Sequence, residues 1–97
     1  MILENNNDLL TKLRKDLDDI DDQLLELLSK RFKLISMIGK HKKENNISMM
    51  QNHRVEFVIN KAKKAAENNN LNPKFFKKIY QTIINVACNI EDEIIDE

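Results

Sequence analysis

Apolar residues recur at alternating spacings of three and four along the first half of the chain. The residues that hold this register are Leu10, Leu13, Leu17, Ile20, Leu24, Leu27, Leu34 and Ile38. This spacing is typical of a long helix that packs lengthwise against other helices. One position breaks the pattern, because Arg31 lies between Leu27 and Leu34 where an apolar residue is expected. The pattern therefore predicts a long helix with a cation set into its apolar face.

Polar signals mark the end of this helix and the starts of two shorter ones. Residues 45–46, both asparagine, end the first pattern. Ser48 and Gln51 have the spacing of a capping box for a second helix. Asn72 before Pro73 suits the N-cap and the first position of a third helix. We expect an all-α fold with helices over about 8–44, 49–67 and 73–95.

The predicted length of the first helix also bears on assembly. Asn7 suits its N-cap, and residues 1–7 are expected to be frayed. From there to residue 44 the helix would span roughly 55 Å at about 1.5 Å per residue. A compact domain of this size has a radius of gyration of only about 12 to 13 Å. We therefore expect residues 1–97 to form a single helical domain that pairs with a second copy in a symmetric homodimer.

Composition narrows the functional classes. The 97 residues include 16 basic and 16 acidic ones, so the net charge is zero. This balance disfavours nucleic acid as a main partner, because proteins that bind phosphates usually carry a basic surplus. The single Cys88 excludes an internal disulfide and favours a reducing compartment. Without a membrane-spanning run or a signal peptide, we expect a cytoplasmic protein that does not bind membranes.

Basic residues at positions where a purely structural helix does not need them are the first candidate site residues. His41 and His53 do not have metal-ligand spacing with Cys88, and no glycine loop cradles a phosphate, so neither a metal nor a cofactor is expected. Arg31 on an apolar face needs a carboxylate, either from the protein at an interface or from a ligand. Lys42 lies about 20° around a straight helix from Arg31. Taken alone, Lys42 is more simply interpreted as a solvated lysine.

A carboxyl on the third helix is equally out of place. Glu91 follows Tyr80, Ile84 and Ala87 along one stripe, where the next residue should be apolar. Either the helix becomes polar near its end, or Glu91 lies in a low-dielectric pocket and donates a hydrogen bond while protonated. Gly39, inside the long helix, is expected to permit the close approach of another backbone or of a ligand.

Two further arginines extend the set of cations. Arg14 lies about 100° around the first helix from Arg31. In a dimer of antiparallel long helices, Arg14 could therefore serve the partner's site. Arg54, taken alone, is an ordinary arginine on a helix surface. Because arginine binds carboxylates bidentately and lysine supplies a point charge, the set suits a small dianion with two carboxylates.

The pattern resembles the all-helical chorismate mutases of the bacterial type. The residues that carry the resemblance are Leu13–Arg14, Leu17 to Asp21, Leu24 to Leu28, Arg31, Ile38–Gly39, Lys42, Arg54, Leu71 to Pro73 and Ile83–Ile84. They cover roughly residues 9–91, and Arg31, Gly39 and Lys42 fall at the family's spacing. The resemblance implies an intertwined homodimer with two equivalent sites.

By this resemblance, the site would catalyse the Claisen rearrangement of chorismate to prephenate, toward phenylalanine and tyrosine, without metal or cofactor. Arg14 would come from the partner chain and hold one substrate carboxylate, and Arg31 would hold the other. Lys42 would reach the ether oxygen of the breaking bond, and Arg54 would complete the cationic lining. Such a site holds the flexible enolpyruvyl arm over the ring and stabilises the charge that separates in the transition state.

Three expected substrate contacts depart from the family's pattern. Val55 stands where the family usually has a glutamate that contacts the ring hydroxyl, Gln51 replaces a nearby aspartate, and Ala87 replaces a small polar residue. Isochorismate pyruvate lyases share the scaffold and lack that glutamate, so such a lyase is one alternative. A 4-amino-4-deoxychorismate mutase and a non-catalytic helical dimer are the others.

Glu91 carries the first testable prediction, because many bacterial members of the family have glutamine at this place. A carboxylate cannot donate a hydrogen bond to the ether oxygen, so Glu91 must be protonated to act. We expect activity to rise toward acidic pH, measured as kcat/KM against pH. The Glu91→Gln variant should give a flat profile, and an unchanged acid optimum in that variant would contradict the role of Glu91.

Overall fold

Three α-helices make up the part of the chain that the computed structural model describes, residues 2–48 and 51–96, with side chains from residue 7 onward. The helices are α1 (Ile2–Glu44), α2 (Asn52–Asn68) and α3 (Pro73–Asp96). No strand occurs in these ranges, and the all-α prediction of one long and two shorter helices is confirmed. None of the described helices combines the length and the apolar composition that crossing a membrane requires.

Helix α1 begins six residues before its predicted start. Its backbone is helical from Ile2, so the prediction that Asn7 is the N-cap is wrong, and the fraying of residues 1–7 stays a prediction. The physical reason is that no proline or glycine precedes Asp8. Each asparagine costs less than about 0.7 kcal/mol in a helix relative to alanine, which is too little to end it.

Helix α2 begins later than predicted. Gln51 is its N-cap, with an extended backbone and no side-chain capping hydrogen bond. The predicted capping box of Ser48 and Gln51 is therefore wrong, because Gln51 precedes the helix instead of lying in its first turn. The predicted starting residue, Met49, lies outside the described residues.

Hydrogen bonds confirm two predicted helix boundaries, the end of α1 near Asn46 and the start of α3 at Asn72. Asn46 has a left-handed backbone with φ 55°, a conformation that asparagine tolerates better than most residues. The N–H of Ile47 then donates to the carbonyl of Lys42 at 2.9 Å, which closes the last turn of α1 as a helix C-cap. At the start of α3, the N–H of Lys74 donates to Asn72 Oδ1 at 3.0 Å, so Asn72 is the predicted N-cap.

The chain divides into two compact units, Met1–Lys33 and Leu34–Glu97. The first unit is the larger part of α1, and the apolar residues of its three-and-four repeat are exposed to solvent in a single chain. Six members of that register are between 44% and 61% exposed, namely Leu10, Leu13, Leu17, Ile20, Leu24 and Leu27. The single-domain organisation over residues 1–97 stays a prediction.

The second unit contains the end of α1, together with α2 and α3, which pack against each other. Its buried residues are mostly small: Gly39, Ala62, Ala66 and Ala87. Glu91 is the exception among the described residues, because it is buried and carries a charge. Small side chains bring helices close together, so this unit buries its one large polar group between closely spaced backbones.

Candidate functional site

A buried ion pair joins the end of α1 to α3. The Nζ atom of Lys42 lies 2.9 Å from Oε1 of Glu91, and the two side chains are only 14% and 8% exposed. Lys42 is therefore not a solvated surface lysine. Of the two interpretations of Glu91, its burial favours the second, a carboxyl in low-dielectric surroundings. Its action as a proton-bearing donor stays a prediction.

One face of α1 brings Lys42 to this pair. Ile35, Gly39 and Lys42 follow one another at spacings of four and three, so they share a face, and Gly39 is buried on it. A Cβ atom built on Gly39 would lie 3.5 Å from the Cα and the Cγ of Glu91. The expectation that Gly39 permits another backbone to approach closely is thus confirmed. Its neighbours in the apolar register, Leu34 and Ile38, remain exposed.

The ion pair is chemically matched. The Lys42 ammonium donates and the Glu91 carboxylate accepts, which offsets part of the cost of removing both charges from water. In this arrangement the charge of Lys42 is directed at a protein carboxylate. A ligand that approaches Lys42 with its own negative oxygen must therefore share or replace that contact.

A cavity of about 440 Å³ lies against Lys42 in the second unit. Its lining residues are Lys42, Lys43, Asn46, Ile47, Ser48 and Ile95. The volume falls within the range of small-molecule sites. Ammonium, amide and hydroxyl groups are donors that suit anionic oxygens. The sequence predicted only Lys42 of this set as a site residue, because Ile47 and Ser48 reach the cavity through the left-handed turn at Asn46 and Ile95 reaches it from α3.

Three predicted site residues lie at the start of α2, at its N-cap and in its first turn. Gln51 and Arg54 are exposed and Val55 is half-buried. The N–H groups of Arg54 and Val55 donate to the Gln51 carbonyl at 2.9 and 3.2 Å, so the three residues form one rigid turn. The guanidinium of Arg54 lies over the Phe57 ring, 5.2 Å from its centroid. This cation–π contact was missed, although the i,i+3 spacing of arginine and phenylalanine could have indicated it.

The remaining predicted residues divide between the two units. Ala87 is buried on α3, one turn before Glu91. Arg31 is half-buried and Arg14 is exposed, and both belong to the first unit. Their joint action with Lys42 stays a prediction. Among the described side chains, no group of three or more His, Cys, Asp or Glu could hold a metal ion.

Comparison with known proteins identifies relatives over most of the chain. Residues 13–92 match the family model described as chorismate mutase type II. The chain is 36% identical over 86 residues to a 4-amino-4-deoxychorismate mutase of Streptomyces pristinaespiralis, covering 89% of this chain and 67% of that protein. It is 34% identical over 83 residues to a 4-amino-4-deoxychorismate mutase of Streptomyces venezuelae, covering 86% and 81%. It is 27% identical over 95 residues to a bifunctional chorismate mutase/prephenate dehydratase of Buchnera aphidicola, covering 98% and 24%.

The second prediction concerns the stability of the ion pair. Lys42→Met leaves the Glu91 carboxylate buried without its ammonium, so the free energy of unfolding should fall by about 3 kcal/mol. The double variant Lys42→Met/Glu91→Leu removes both charges and should recover at least half of that loss. Urea denaturation followed by far-UV circular dichroism measures both.

A matched control lies on the same helix. Lys30 pairs with Glu26 at 3.4 Å, but both side chains are more than 60% exposed. Because an exposed pair contributes little, Lys30→Met should change the free energy of unfolding by no more than about 0.5 kcal/mol. Equal losses in Lys42→Met and Lys30→Met would show that burial adds nothing to the Lys42–Glu91 pair.

Proposed function

Since the chain belongs to the type II chorismate mutase family, whose members are isomerases, we propose that it rearranges chorismate to prephenate. The observation that carries the proposal is the buried ammonium of Lys42, held 2.9 Å from Glu91 at the wall of a cavity of small-molecule size. A buried cation beside a cavity suits an anionic substrate and a transition state in which oxygen gains negative charge.

The proposed reaction breaks and forms only bonds of the substrate itself. The ether bond between carbon and oxygen breaks while a new carbon–carbon bond forms, so no proton, electron or atom is exchanged with the protein. Lys42 donates to the ether oxygen as negative charge develops there. Arg31 and Arg54 bind carboxylate oxygens and hold the enolpyruvyl arm over the ring. The protein therefore acts through position and charge.

Glu91 positions Lys42 in this proposal. As a carboxylate it accepts from the Lys42 ammonium at 2.9 Å, but it has no hydrogen bond to give to the ether oxygen. As a neutral acid it still accepts from that ammonium through its carbonyl oxygen and becomes a second donor to the ether oxygen.

Support for a homodimer comes from the open apolar register of α1. Leu13, Leu17 and Ile20 are each more than half exposed in one chain, and a contiguous apolar surface of this kind is usually covered by another chain. A second copy carries the matching register. Arg14 follows Leu13 in the sequence and so lies at the edge of this surface, which suits the proposal that it reaches the partner's site. We propose that the dimer acts in the cytoplasm, as the lone Cys88 favours.

A second candidate substrate is 4-amino-4-deoxychorismate, in which an amino group replaces the ring hydroxyl. Two relatives at 34–36% identity carry the name of a mutase for that compound. The half-buried Val55 also has no polar group, so it offers the ring hydroxyl of chorismate no acceptor. The proposed scaffold is the same for both substrates.

Comparing the substrates directly is the test of the proposed function. The purified protein is assayed with chorismate, 4-amino-4-deoxychorismate and isochorismate, and we expect prephenate from chorismate. A much larger kcat/KM with the amino compound would reassign the substrate within the family. Pyruvate released from isochorismate alone would reassign the reaction to a lyase.

The third prediction is that Val55→Glu improves chorismate turnover. The new carboxylate would accept a hydrogen bond from the ring hydroxyl, and one such bond of about 1.4 kcal/mol corresponds to about tenfold in kcat/KM. Asn52→Glu adds the same charge at an exposed position of α2 and should leave kcat/KM unchanged. The same gain in both variants, or none in Val55→Glu, would argue that Val55 does not face the ring hydroxyl.

The fourth prediction separates an enzyme from a structural dimer. Arg31→Ala should lower kcat/KM by about 100-fold or more, the effect of removing one preorganised donor from a transition state, while sedimentation and circular dichroism stay unchanged. Lys33→Ala, two residues away and exposed, is the control and should keep full activity. Loss of stability in Arg31→Ala without a specific loss of turnover would instead indicate a structural ion pair.

A further inference from the structure

Gly39 lies where α1 approaches the backbone of α3 at Glu91. We propose that it is a positioning residue: the missing side chain of Gly39 lets α3 pack closely against α1 beside the Lys42–Glu91 pair, and thereby fixes the Lys42 ammonium for catalysis. This inference rests on the proposed function. Gly39 touches no substrate in this account and acts through the two residues of the ion pair.

The backbone conformation of Gly39 does not itself require glycine. No glycine of the described residues has a positive φ, and alanine is the more favourable residue inside a helix. A glycine in an ordinary helical conformation gains nothing from its conformational freedom. The local reason for glycine must therefore be the space that a side chain would fill.

The space beside Gly39 adjoins the ion pair. A Cβ atom on residue 39 would lie 3.5 Å from both Cα and Cγ of Glu91, and 3.3 Å from Cδ1 of Ile94. Two of the three nearest atoms are thus part of the residue that binds Lys42. The contact with Ile94 is tighter than ordinary van der Waals separation, so one of the two helices must shift or the Ile94 side chain must turn.

The register of the two helices makes such a shift bear on Lys42. Gly39 and Lys42 are three residues apart on one face of α1, and Glu91 and Ile94 are three apart on α3. Helical side chains lean toward the helix N-terminus, so the stem of Lys42 runs back toward the turn of Gly39. The backbone approach at Gly39 and the 2.9 Å ion pair are therefore neighbouring parts of one contact.

Catalysis is more sensitive to such a shift than folding is. A displacement of a few tenths of an ångström is easily absorbed by packing, but a misplacement of about 1 Å at a reacting group can cost about 100-fold in rate. The fifth prediction is that Gly39→Ala lowers kcat by about tenfold, with little change in KM, while the protein stays folded. Because alanine is the better helix residue, the thermal unfolding midpoint of the Gly39→Ala variant should not fall in proportion to its kcat.

A suppressor gives the test its specificity. Ile94→Val removes the Cδ1 atom that the new Cβ would meet at 3.3 Å, so Gly39→Ala/Ile94→Val should recover most of the lost kcat. Ile94→Val alone should be close to wild type. Lys40→Ala, the same kind of change at the exposed neighbouring position, is the control for helix propensity.

A second readout does not depend on activity. The coupling between Lys42 and Glu91 is measured by a double-mutant cycle in urea, first in the wild type and then in the Gly39→Ala background. We expect the coupling to fall below half of its wild-type value with Gly39→Ala and to return when Ile94→Val is added. A purely structural role for Gly39 would change overall stability and leave the coupling intact.

The outcomes distinguish this inference from the proposed function. If the wild type does not turn over any of the three substrates, the proposed function fails, and the coupling cycle still tests the geometry. If the wild type is active and Gly39→Ala keeps its kcat and its coupling, the positioning role is overturned. A loss of kcat that Ile94→Val does not reverse, with coupling unchanged, also overturns it. Should Gly39→Ala fail to fold, Gly39→Ala/Ile94→Ala, which leaves more room, takes its place in both measurements.

Discussion

The second unit of this small fold depends on one buried pair of opposite charges, that of Lys42 and Glu91. An ammonium or carboxylate taken from water costs several kcal/mol even after relaxation, and only a close and well-oriented partner repays it. The 2.9 Å contact between Lys42 and Glu91 therefore constrains two helices at once. It requires the right register on each, a close approach at Gly39, and an end to α1 two residues beyond Lys42.

The second constraint is the small size of the core. Among the described residues, the buried apolar side chains are alanines, whereas leucines and isoleucines of α1 remain exposed in one chain. Alanine brings little apolar area out of water, since burial contributes roughly 25 cal/mol per Å². The proposed dimer would bury the large side chains that a single chain leaves exposed. Stability and the completion of the site by Arg14 would then depend on the same interface.

Features set by local sequence were predictable, and features set by packing were not. The helices, the end of α1 at Asn46 and the N-cap at Asn72 follow from spacing and from short-range hydrogen bonds. The apolar stripe before Glu91 left two interpretations open, a helix end that becomes polar or a buried carboxyl, and only the fold decides for burial. The early start of α1 was missed because asparagine disfavours a helix only weakly. The stacking of Arg54 on Phe57 and the cavity beside Lys42 depend on side chains that only the folded chain brings together.

The end of α1 also shapes how this scaffold can change. The Ile47 N–H to Lys42 carbonyl bond and the left-handed Asn46 close the helix with the residues that follow it. Lys42 is thus held by its own helix end and by α3. Ile47 and Ser48 also line the same cavity as Lys42. An insertion or deletion between Lys42 and Ser48 would therefore move the helix end and the cavity wall together.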